Sequence, residues 1–376
     1  MKKWMAIILA AVLVLGMSAC TVNKTEVSVL WSADGVVKTP DSLINAMERA
    51  MYIENIAYAH YGAEGDSAKQ LEQVKQALEK DCAALVVELV NPADAQSVVD
   101  QAKLKNIPVI FFNCEVDAAV LDSYEKSTLI RIDAASAAKV QGEMIGKALT
   151  AKKGLEKADL NGDGKVSYLA LGNVEDAVAN VDQMLADAEL AALVKVEAEG
   201  VSQLTVHEYV KKKDTYGQLK TASGEVVELI ITENDAIAMD ALVELQALGF
   251  NKDKLATHFV TVYTVGSNAD YKEKVLAGKP EGALNSDAVQ AYFREQAAFA
   301  DLTTVEAGKD LEKMQSQMDV LVYNTRNVID AGRIIGSAVE DYDAVAESVA
   351  KATRSLLKGN APEHKTQSIL YTTYGA

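Results

Sequence analysis

Short apolar runs alternate with longer amphipathic segments along most of the chain. Such runs are typical of parallel strands, because a strand that is covered on both faces lacks a regular polar alternation. We predict strands at Val27–Trp31, Ile56–His60, Ala84–Leu89, Val109–Phe112, Leu129–Ile132, Val166–Leu171, Val194–Ala198, Val226–Ile231, Phe259–Tyr263 and Val320–Tyr323. The amphipathic segments predict helices at Ser42–Met51, Ala68–Lys80, Pro92–Lys105, Ala134–Leu149, Ala177–Leu190, Asp235–Leu248 and Val328–Leu357.

This alternation favours an α/β architecture with parallel sheets. The number of strands fits two doubly wound domains better than one, and a (β/α)₈ barrel is the alternative fold. The chain contains 5 Pro and 22 Gly, and they form no long linker. We therefore expect the domains to be joined by short strand crossings.

The N-terminus has the pattern of a secretory signal. Two lysines precede an apolar run from Trp4 to Met17, and two small residues stand before Cys20. The run is shorter than the roughly 20 residues of a spanning helix, which disfavours a permanent transmembrane anchor. Met17–Cys20 resembles a bacterial lipobox, in which the cysteine carries a diacylglyceryl group. We therefore predict a signal peptide over 1–19, a lipid-anchored linker over 20–24, and an exported lipoprotein held on the extracytoplasmic face of the cell membrane.

Composition and charge exclude several classes of protein. The chain has 37 Lys and Arg against 54 Asp and Glu, which gives a net charge of −17. Nucleic acid is therefore not an expected partner, because phosphate binding needs a basic face. The sequence has no Gly-x-Ser-x-Gly and no P-loop, and no pair of carboxylates has a spacing that indicates a glycosidase. We do not expect an enzyme.

Two cysteines remain after the predicted signal segment. Cys82 lies at a helix-to-strand junction and Cys114 follows a predicted strand. Export would permit a disulfide between them. We favour the alternative that both are small buried apolar residues.

Polar residues follow five of the predicted strands. They are Trp31–Asp34, Asn113–Glu115, Glu233–Asp235, Gly266–Asn268 and Asn324–Asn327. Ligands of open parallel sheets bind beyond the carboxyl ends of the strands. Asn occurs at four of these ends, and its amide both donates and accepts hydrogen bonds, which suits a polyhydroxylated ligand. The alternative is that these residues cap the helices that follow.

Residues 159–167, Asp-Leu-Asn-Gly-Asp-Gly-Lys-Val-Ser, have the spacing of the start of an EF-hand loop. Gly164 stands where such a loop turns sharply. Calcium ligands are expected from Asp159, Asn161, Asp163, the Lys165 backbone carbonyl and Ser167. Ala170 replaces the usual bidentate Glu, so that ligand must come from elsewhere. The alternative is an Asx-rich turn without metal.

Several segments match one known family in order. They are Ala83–Ala93, Pro108–Asn113, Leu121–Lys126 and the calcium loop. The chain thus resembles the glucose/galactose-binding members of the type I periplasmic binding protein family, which serve ABC importers. The resemblance covers nearly all of the chain after the signal segment and weakens after about residue 250. In that family a distant carboxylate completes the calcium site, a few residues before an Asn-Asp-Ala triplet. Here Glu228 stands at that spacing before Asn234–Ala236.

The resemblance implies two doubly wound parallel-sheet lobes joined by a three-segment hinge. The N-terminal lobe would contain residues 25–131 and 323–361, and the C-terminal lobe residues 132–322 and 362–376 with the calcium loop. The family's hinge would lie near Ile130–Asp133, Val322–Asn324 and Pro362–Gln367. The lobes would close around the ligand by hinge motion.

The resemblance also implies a monosaccharide site of the galactose or glucose type. The candidate ligand-binding residues are Trp31, Asp34, Asn113, Asp176, Asn180, Asn234, Asn268 and Asn324. The family's His and Arg are replaced by Val174 and Asn180, and its stacking aromatic rings have no clear counterparts. Residues 281–317 have no assigned role. The expected function is delivery of a small polar solute to an ABC permease, and the alternative is a lipoprotein that senses a ligand and signals to a membrane receptor.

Overall fold

The computed structural model describes residues 26–32, 41–197, 205–211, 214–251, 258–267, 288, 325–330 and 332–375. The chain divides into two compact units. Unit 1 contains the residues up to Ile132 together with Tyr342–Ile369. Unit 2 contains Asp133–Asp341 together with Leu370–Ala376. The chain therefore passes between the units three times.

The secondary structure follows the predicted alternation, and most bounds lie within a few residues of the predicted ones. The strands are β1 (Val27–Trp31), β2 (Tyr58–Gly62), β3 (Leu85–Val87), β4 (Val109–Phe112), β5 (Ser127–Ile132), β6 (Ser167–Leu171), β7 (Val194–Val196), β8 (Thr205–Lys211), β9 (Asp214–Lys220), β10 (Leu229–Thr232), β11 (Thr261–Val265), β12 (Gly336–Val339), β13 (Thr366–Ile369) and β14 (Thr372–Gly375). The helices are α1 (Asp41–Ile53), α2 (Ser67–Glu79), α3 (Ala95–Lys105), α4 (Ala118–Asp122), α5 (Ser136–Thr150), α6 (Gly154–Ala158), α7 (Glu175–Asp187), α8 (Asp235–Ala247), α9 (Thr325–Asp330) and α10 (Tyr342–Leu357), and a 3₁₀ turn covers Pro92–Asp94.

Unit 1 is built on a six-stranded parallel sheet with the order β13-β5-β4-β3-β1-β2. Helices cover both of its faces. On one face α1 and α10 pack against Trp31 and Phe112, and on the other α2 and α3 pack against Leu30 and Phe111. Successive side chains of a strand point to opposite faces. Continuous apolar runs such as β4 are therefore needed to fill both cores.

Unit 2 contains a six-stranded sheet with the order β14-β12-β11-β10-β6-β7, in which β14 is antiparallel to β12 and the other pairs are parallel. Helix α8 packs on one face, and α5 and α7 pack on the other. A Cβ at Gly142 would lie 2.6 Å from the Cβ of Asn180, so the close approach of α5 and α7 requires glycine there. Two sheets with helices on both faces confirm the doubly wound α/β fold and exclude the single barrel.

The prediction of one helix over Val328–Leu357 is wrong. Helix α9, strand β12 and helix α10 occupy this region instead. Gly332 has a φ of 69°, a left-handed conformation that ends a helix. The four residues of β12 are buried, as a strand in the middle of a sheet must be.

This strand also corrects the predicted lobe boundaries. Because β12 pairs with β11, residues 325–341 belong to unit 2, and the chain returns to unit 1 at Tyr342 instead of residue 323. Because β13 pairs with β5, the last passage follows Ile369 and not residue 361. The first passage, after Ile132, lies one residue from the predicted position.

Some elements were not predicted, and some predictions lie outside the described residues. Strands β8 and β9 form an antiparallel hairpin that the apolar pattern does not indicate, because its runs are short and mixed with lysine and threonine. The strand predicted at Val320–Tyr323 falls outside the described part of the chain. No helix among the described residues has the length and apolar character needed to cross a membrane.

Candidate functional site

The carboxyl edge of the unit 1 sheet carries a hydrogen-bonded polar cluster. Ser32 follows β1, Glu88 follows β3 and Asn113 follows β4, and these three parallel strands are neighbours. Glu88 is 4% exposed. Its Oε2 accepts from the Ser32 backbone N at 3.1 Å and from Ser32 Oγ at 2.8 Å, and its Oε1 accepts from Asn113 Nδ2 at 2.7 Å. We call Ser32, Glu88 and Asn113 the edge cluster.

Hydrogen bonds hold the backbone near Glu88 and at Asn113 in place. Gln70 of α2 donates from Nε2 to the Glu88 carbonyl at 2.8 Å and accepts from the Val90 N–H at 3.0 Å. Asn113 has a φ of 48°, a left-handed conformation that Asn tolerates better than most residues. Its backbone N–H donates to the Ile130 carbonyl at 3.0 Å.

Sequence reasoning did not select Glu88. It lies inside the predicted strand Ala84–Leu89, which was expected to be buried throughout. A charged residue in a buried strand needs hydrogen-bond partners. Its position was therefore a usable signal, but the partners Ser32 and Asn113 become visible only when the strands are placed side by side.

Trp31 is the last residue of β1, and its side chain lies in the core of unit 1. Its side chain is 5% exposed, and its ring meets Phe112 edge to face, with centroids 5.2 Å apart and an interplanar angle of 89°. Strand alternation turns it toward α1 and α10. Its indole Nε1 has no hydrogen-bond partner in the part of the chain that the structure describes. This buried placement does not favour the prediction that the Trp31 side chain binds the ligand.

In unit 2, Asn234 lies at the carboxyl end of β10 and is the N-cap of α8. Its Oδ1 accepts from the Ile237 N–H at 3.0 Å. Beside it, Thr232 donates from Oγ1 to Thr264 Oγ1 at 2.7 Å. The Asn234 oxygen therefore caps α8, as the helix-capping interpretation predicts. The side-chain Nδ2 of Asn234 takes no part in this bond.

The other two described candidates of unit 2, Asp176 and Asn180, lie on α7. Asp176 is exposed in the first turn of the helix. Asn180 donates from Nδ2 to the Asp176 carbonyl at 2.7 Å, and its Cβ faces Gly142 of α5. Asn180 therefore takes part in helix packing. Asp34, Asn268 and Asn324, together with the lipidation candidate Cys20, fall outside the described residues.

A surface cavity of about 310 Å³ lies at the start of α7. Its lining residues are Tyr168, Ala170, Gly172, Asn173, Val174, Glu175 and Lys195. Burial raises the pKa of Tyr168, and the carboxylates of Asp182, Glu197 and Glu175 raise it further. The phenol is therefore a neutral donor in this cavity.

The calcium-like loop of unit 2 is organised around Asp159. Its Oδ1 accepts from the Gly162 N–H at 2.6 Å and the Asp163 N–H at 3.2 Å, and its Oδ2 accepts from the Gly164 N–H at 2.8 Å. Gly162 and Gly164 have φ values of 75° and 83°. These left-handed backbone conformations, which favour glycine, fold the loop around Asp159.

Glu228 is brought to this loop from a position 68 residues beyond Leu160. It is 2% exposed. Its Oε1 accepts from the Leu160 N–H at 2.6 Å and the Asn161 N–H at 3.0 Å, and its Oε2 accepts from the Ser167 N–H at 2.8 Å. Burial raises the pKa of this carboxyl, the three N–H groups oppose that effect, and the nearby Asp159 adds to it.

The donor set of the loop suits a hard cation. The side-chain carboxylates, amide and hydroxyl and the backbone carbonyl are all oxygen ligands of the kind that calcium takes. Within the described residues no three His, Cys, Asp or Glu side chains form a metal-binding group, and the carboxylates accept from loop N–H groups instead. Hydrogen bonds within the loop and from the loop to Glu228 thus bring the predicted residues together in unit 2. These residues are Asp159, Asn161, Asp163, Lys165, Ser167 and Glu228.

Cys82 and Cys114 are free thiols. Burial raises the pKa of Cys114 to about 12, with smaller contributions from the Glu88 and Glu115 carboxylates. Burial also raises the pKa of Cys82 to about 11. Both thiols are therefore protonated at neutral pH. Cys82 is buried, as predicted, whereas Cys114 is partly exposed.

We expect both thiols to resist alkylation in the folded protein. The thiolate is the reactive form, and the raised pKa values leave little of it at pH 8. Iodoacetamide labelling followed by mass spectrometry should be at least about a hundredfold slower in native buffer than in denaturant, where the pKa returns to about 8.5. Rapid native labelling of Cys114 would contradict the raised pKa of its thiol.

Comparison with known proteins identifies the family. The sequence matches the periplasmic binding protein domain family over residues 38–294. It is 32% identical over 182 residues to the D-galactose/methyl-galactoside binding periplasmic protein MglB of Haemophilus influenzae, which is 48% of this chain and 54% of that protein. The match therefore spans about half the length of that relative.

Solved structures of solute-binding proteins also align with the chain. The arabinose ABC transporter component from Shewanella sp. ANA-3 is 14% identical with a TM-score of 0.46, and the alignment covers 93% of this chain and 91% of that one. The D-allose-bound protein from Actinobacillus succinogenes is 10% identical with a TM-score of 0.45, and the alignment covers 93% of this chain and 97% of that one.

The domain match covers more than half of the sequence. The chain therefore belongs to the periplasmic binding protein family, a family of solute-binding proteins and not of enzymes.

Proposed function

We propose that this chain captures a monosaccharide of the galactose type outside the cytoplasm and presents it to an ABC importer. The observation that carries the proposal is the edge cluster, which fixes Asn113 at the carboxyl end of a parallel sheet in a chain of this family. The relative MglB, named for binding D-galactose and methyl-galactoside, supports the choice of sugar.

The two units each present an amide suited to a sugar hydroxyl. Asn113 lies at the carboxyl end of β4 in unit 1, and Asn234 lies at the carboxyl end of β10 in unit 2. An Asn amide can donate a hydrogen bond to a hydroxyl or accept one from it. Both side chains are partly exposed, so a ligand can reach them.

We also propose that unit 2 holds Ca²⁺ with Asp159, Asn161, Asp163, the Lys165 carbonyl, Ser167 and Glu228. The ion would supply positive charge between carboxylates that otherwise repel one another. Glu228 joins β10 to the loop, and Gln218 of β9 donates from Nε2 to the Leu160 carbonyl at 3.2 Å. These contacts support a bracing role for the ion in unit 2.

The predicted signal segment and lipobox support a further part of the proposal. The chain would be exported and held at the membrane surface by a lipid on Cys20. Labelling of the full chain with a radioactive fatty acid in a bacterial host tests this directly. A Cys20→Ser variant should take up no label, and equal labelling of the two chains would contradict lipidation at this residue.

Titration calorimetry tests the function. Residues 21–376 in calcium buffer should bind D-galactose or D-glucose with a dissociation constant in the micromolar range or tighter. Asn113→Ala should weaken binding by about 10- to 100-fold, because an unmade hydrogen bond in a buried site costs about 1–3 kcal/mol. The control is Asn360→Ala, which changes an exposed residue that follows α10. A folded protein that binds neither sugar would contradict the proposal.

A further inference from the structure

We infer that Glu88 fixes the orientation of the Asn113 amide, so that Asn113 presents its oxygen to the ligand and selects a ligand group that donates a hydrogen bond. This inference rests on the proposed function, because it takes Asn113 to be a ligand contact. It makes Glu88 a positioning residue for recognition. The carboxylate accepts a hydrogen bond from Asn113 and acts through it.

The orientation follows from the chemistry of the edge cluster. A carboxylate oxygen accepts hydrogen bonds and does not donate them. The Ser32 backbone N–H at 3.1 Å from Oε2 can only donate, which requires an acceptor at that position. The other carboxylate oxygen, Oε1, lies 2.7 Å from the Asn113 side-chain nitrogen Nδ2. Because this oxygen also only accepts, Asn113 must turn its NH₂ group toward Glu88. Its Oδ1 is then directed away from the carboxylate.

The arrangement is also rigid. Glu88 is 4% exposed, and its backbone carbonyl is held by the buried Gln70 at 2.8 Å. The backbone of Asn113 is held by its bond to Ile130. Hydrogen bonds to a charged acceptor are about twice as strong as neutral ones, so the ligand would not easily reverse the amide. A mobile Asn amide could donate to a hydroxyl or accept from one. The Asn113 amide instead presents its oxygen, an acceptor, on the side away from Glu88.

Glu88→Gln reverses this preference. The oxygen of the introduced glutamine would take the Ser32 N–H, and its NH₂ group would then face Asn113. The Asn113 amide would turn over, accept from that NH₂ group with its oxygen, and present its own NH₂ group to the ligand. The variant has almost the same volume as the native residue, and it exchanges one acceptor for one donor at the edge of the sheet.

The first experiment needs no ligand. In ¹⁵N-labelled protein (residues 21–376), one Asn113 side-chain N–H should be shifted downfield and protected from exchange by its bond to a carboxylate. Glu88→Gln should lose this shift. Glu115→Gln removes an exposed charge that pairs with Arg131 at 2.7 Å near the same edge, and should keep it. An Asn113 resonance unchanged in Glu88→Gln overturns the inference, whatever the sugar titrations show.

The second experiment uses galactose with single hydroxyls replaced by fluorine, which accepts weakly and cannot donate, or by hydrogen. For the native chain, at the hydroxyl that meets Asn113, the fluoro sugar should bind no better than the deoxy sugar. Both should bind at least about tenfold more weakly than galactose. In Glu88→Gln the fluoro sugar should regain affinity relative to the deoxy sugar.

A fluoro sugar that binds the native chain better than the deoxy sugar at every position overturns the inference, and this comparison does not require the variant to fold. Failure of the proposed function has a different signature. In that case galactose itself does not bind, while the ligand-free resonance of Asn113 still reports its bond to Glu88.

Discussion

Removal of calcium with EDTA is expected to lower the midpoint of thermal unfolding of unit 2 by roughly 8–16 °C. A ligand that binds only the folded state at about 1,000 times its dissociation constant adds about 4 kcal/mol. For a domain of about 150–250 residues, each kcal/mol changes the midpoint by about 2–4 °C. Differential scanning calorimetry in calcium and in EDTA measures the difference.

The physical reason lies in the buried charge of Glu228. Its carboxylate is 2% exposed and close enough to Asp159 for their charges to interact. Three N–H groups satisfy its oxygens, but they supply no net positive charge. A divalent cation would supply that charge, and chelation would leave the repulsion uncompensated.

Glu228→Gln is the variant that separates a calcium effect from a general effect of EDTA. It should bring the midpoints in calcium and in EDTA close together, because it would remove a proposed carboxylate ligand while keeping the side-chain size. Glu115→Gln removes a charge from the exposed surface of unit 1 and should keep the full difference. Equal midpoints for the native chain in calcium and in EDTA would contradict the calcium proposal.

The second large effect is expected from Phe112→Ala. Phe112 is 0% exposed, and its ring packs edge to face on Trp31 in the core of unit 1. Truncating a buried Phe to Ala typically lowers the free energy of unfolding by about 3–5 kcal/mol, because contacts are lost and a cavity remains. The loss should also weaken sugar binding, since Asn113 directly follows Phe112 at the end of β4.

Trp31 provides the measurement. The sequence has 2 tryptophans, Trp4 and Trp31, so a chain that starts after residue 20 has Trp31 alone. Its fluorescence during denaturant unfolding reports on unit 1. The control is Leu104→Ala on α3, where the side chain is 87% exposed and the expected change is within about 0.5 kcal/mol. A loss below about 1 kcal/mol for Phe112→Ala would contradict the described packing.

The apolar pattern predicted the central strands well because each of them is covered on both faces. Strand β4 has the predicted bounds of Val109–Phe112, and all four of its residues are buried. The same pattern failed where burial is partial or the run is short. Strands β13 and β14 alternate between exposed and partly buried residues, and β12 is only four residues long beside a helix-like segment. A local apolar pattern does not distinguish such a strand from a helix end.

The calcium-like loop and the edge cluster also differ in how far the sequence alone predicts them. The turn-forming glycines and the predicted oxygen ligands of the calcium-like loop are spaced along nine consecutive residues, so the sequence alone indicates the loop. Glu228 was implied by a family resemblance and not by spacing. Glu88 was missed, because its partners Ser32 and Asn113 stand 56 and 25 residues away.

Elements that depend on neighbours along the chain can be predicted from the amino-acid sequence. These are the buried strands, the amphipathic helices between them and the wrapped loop at Asp159. Which strands lie side by side is visible only in the folded chain, and this arrangement brings Glu88 to Asn113 and Glu228 to Asn161. The reason is physical: periodicity and turn chemistry act over a few residues, whereas a buried carboxylate finds its donors wherever the sheet places them.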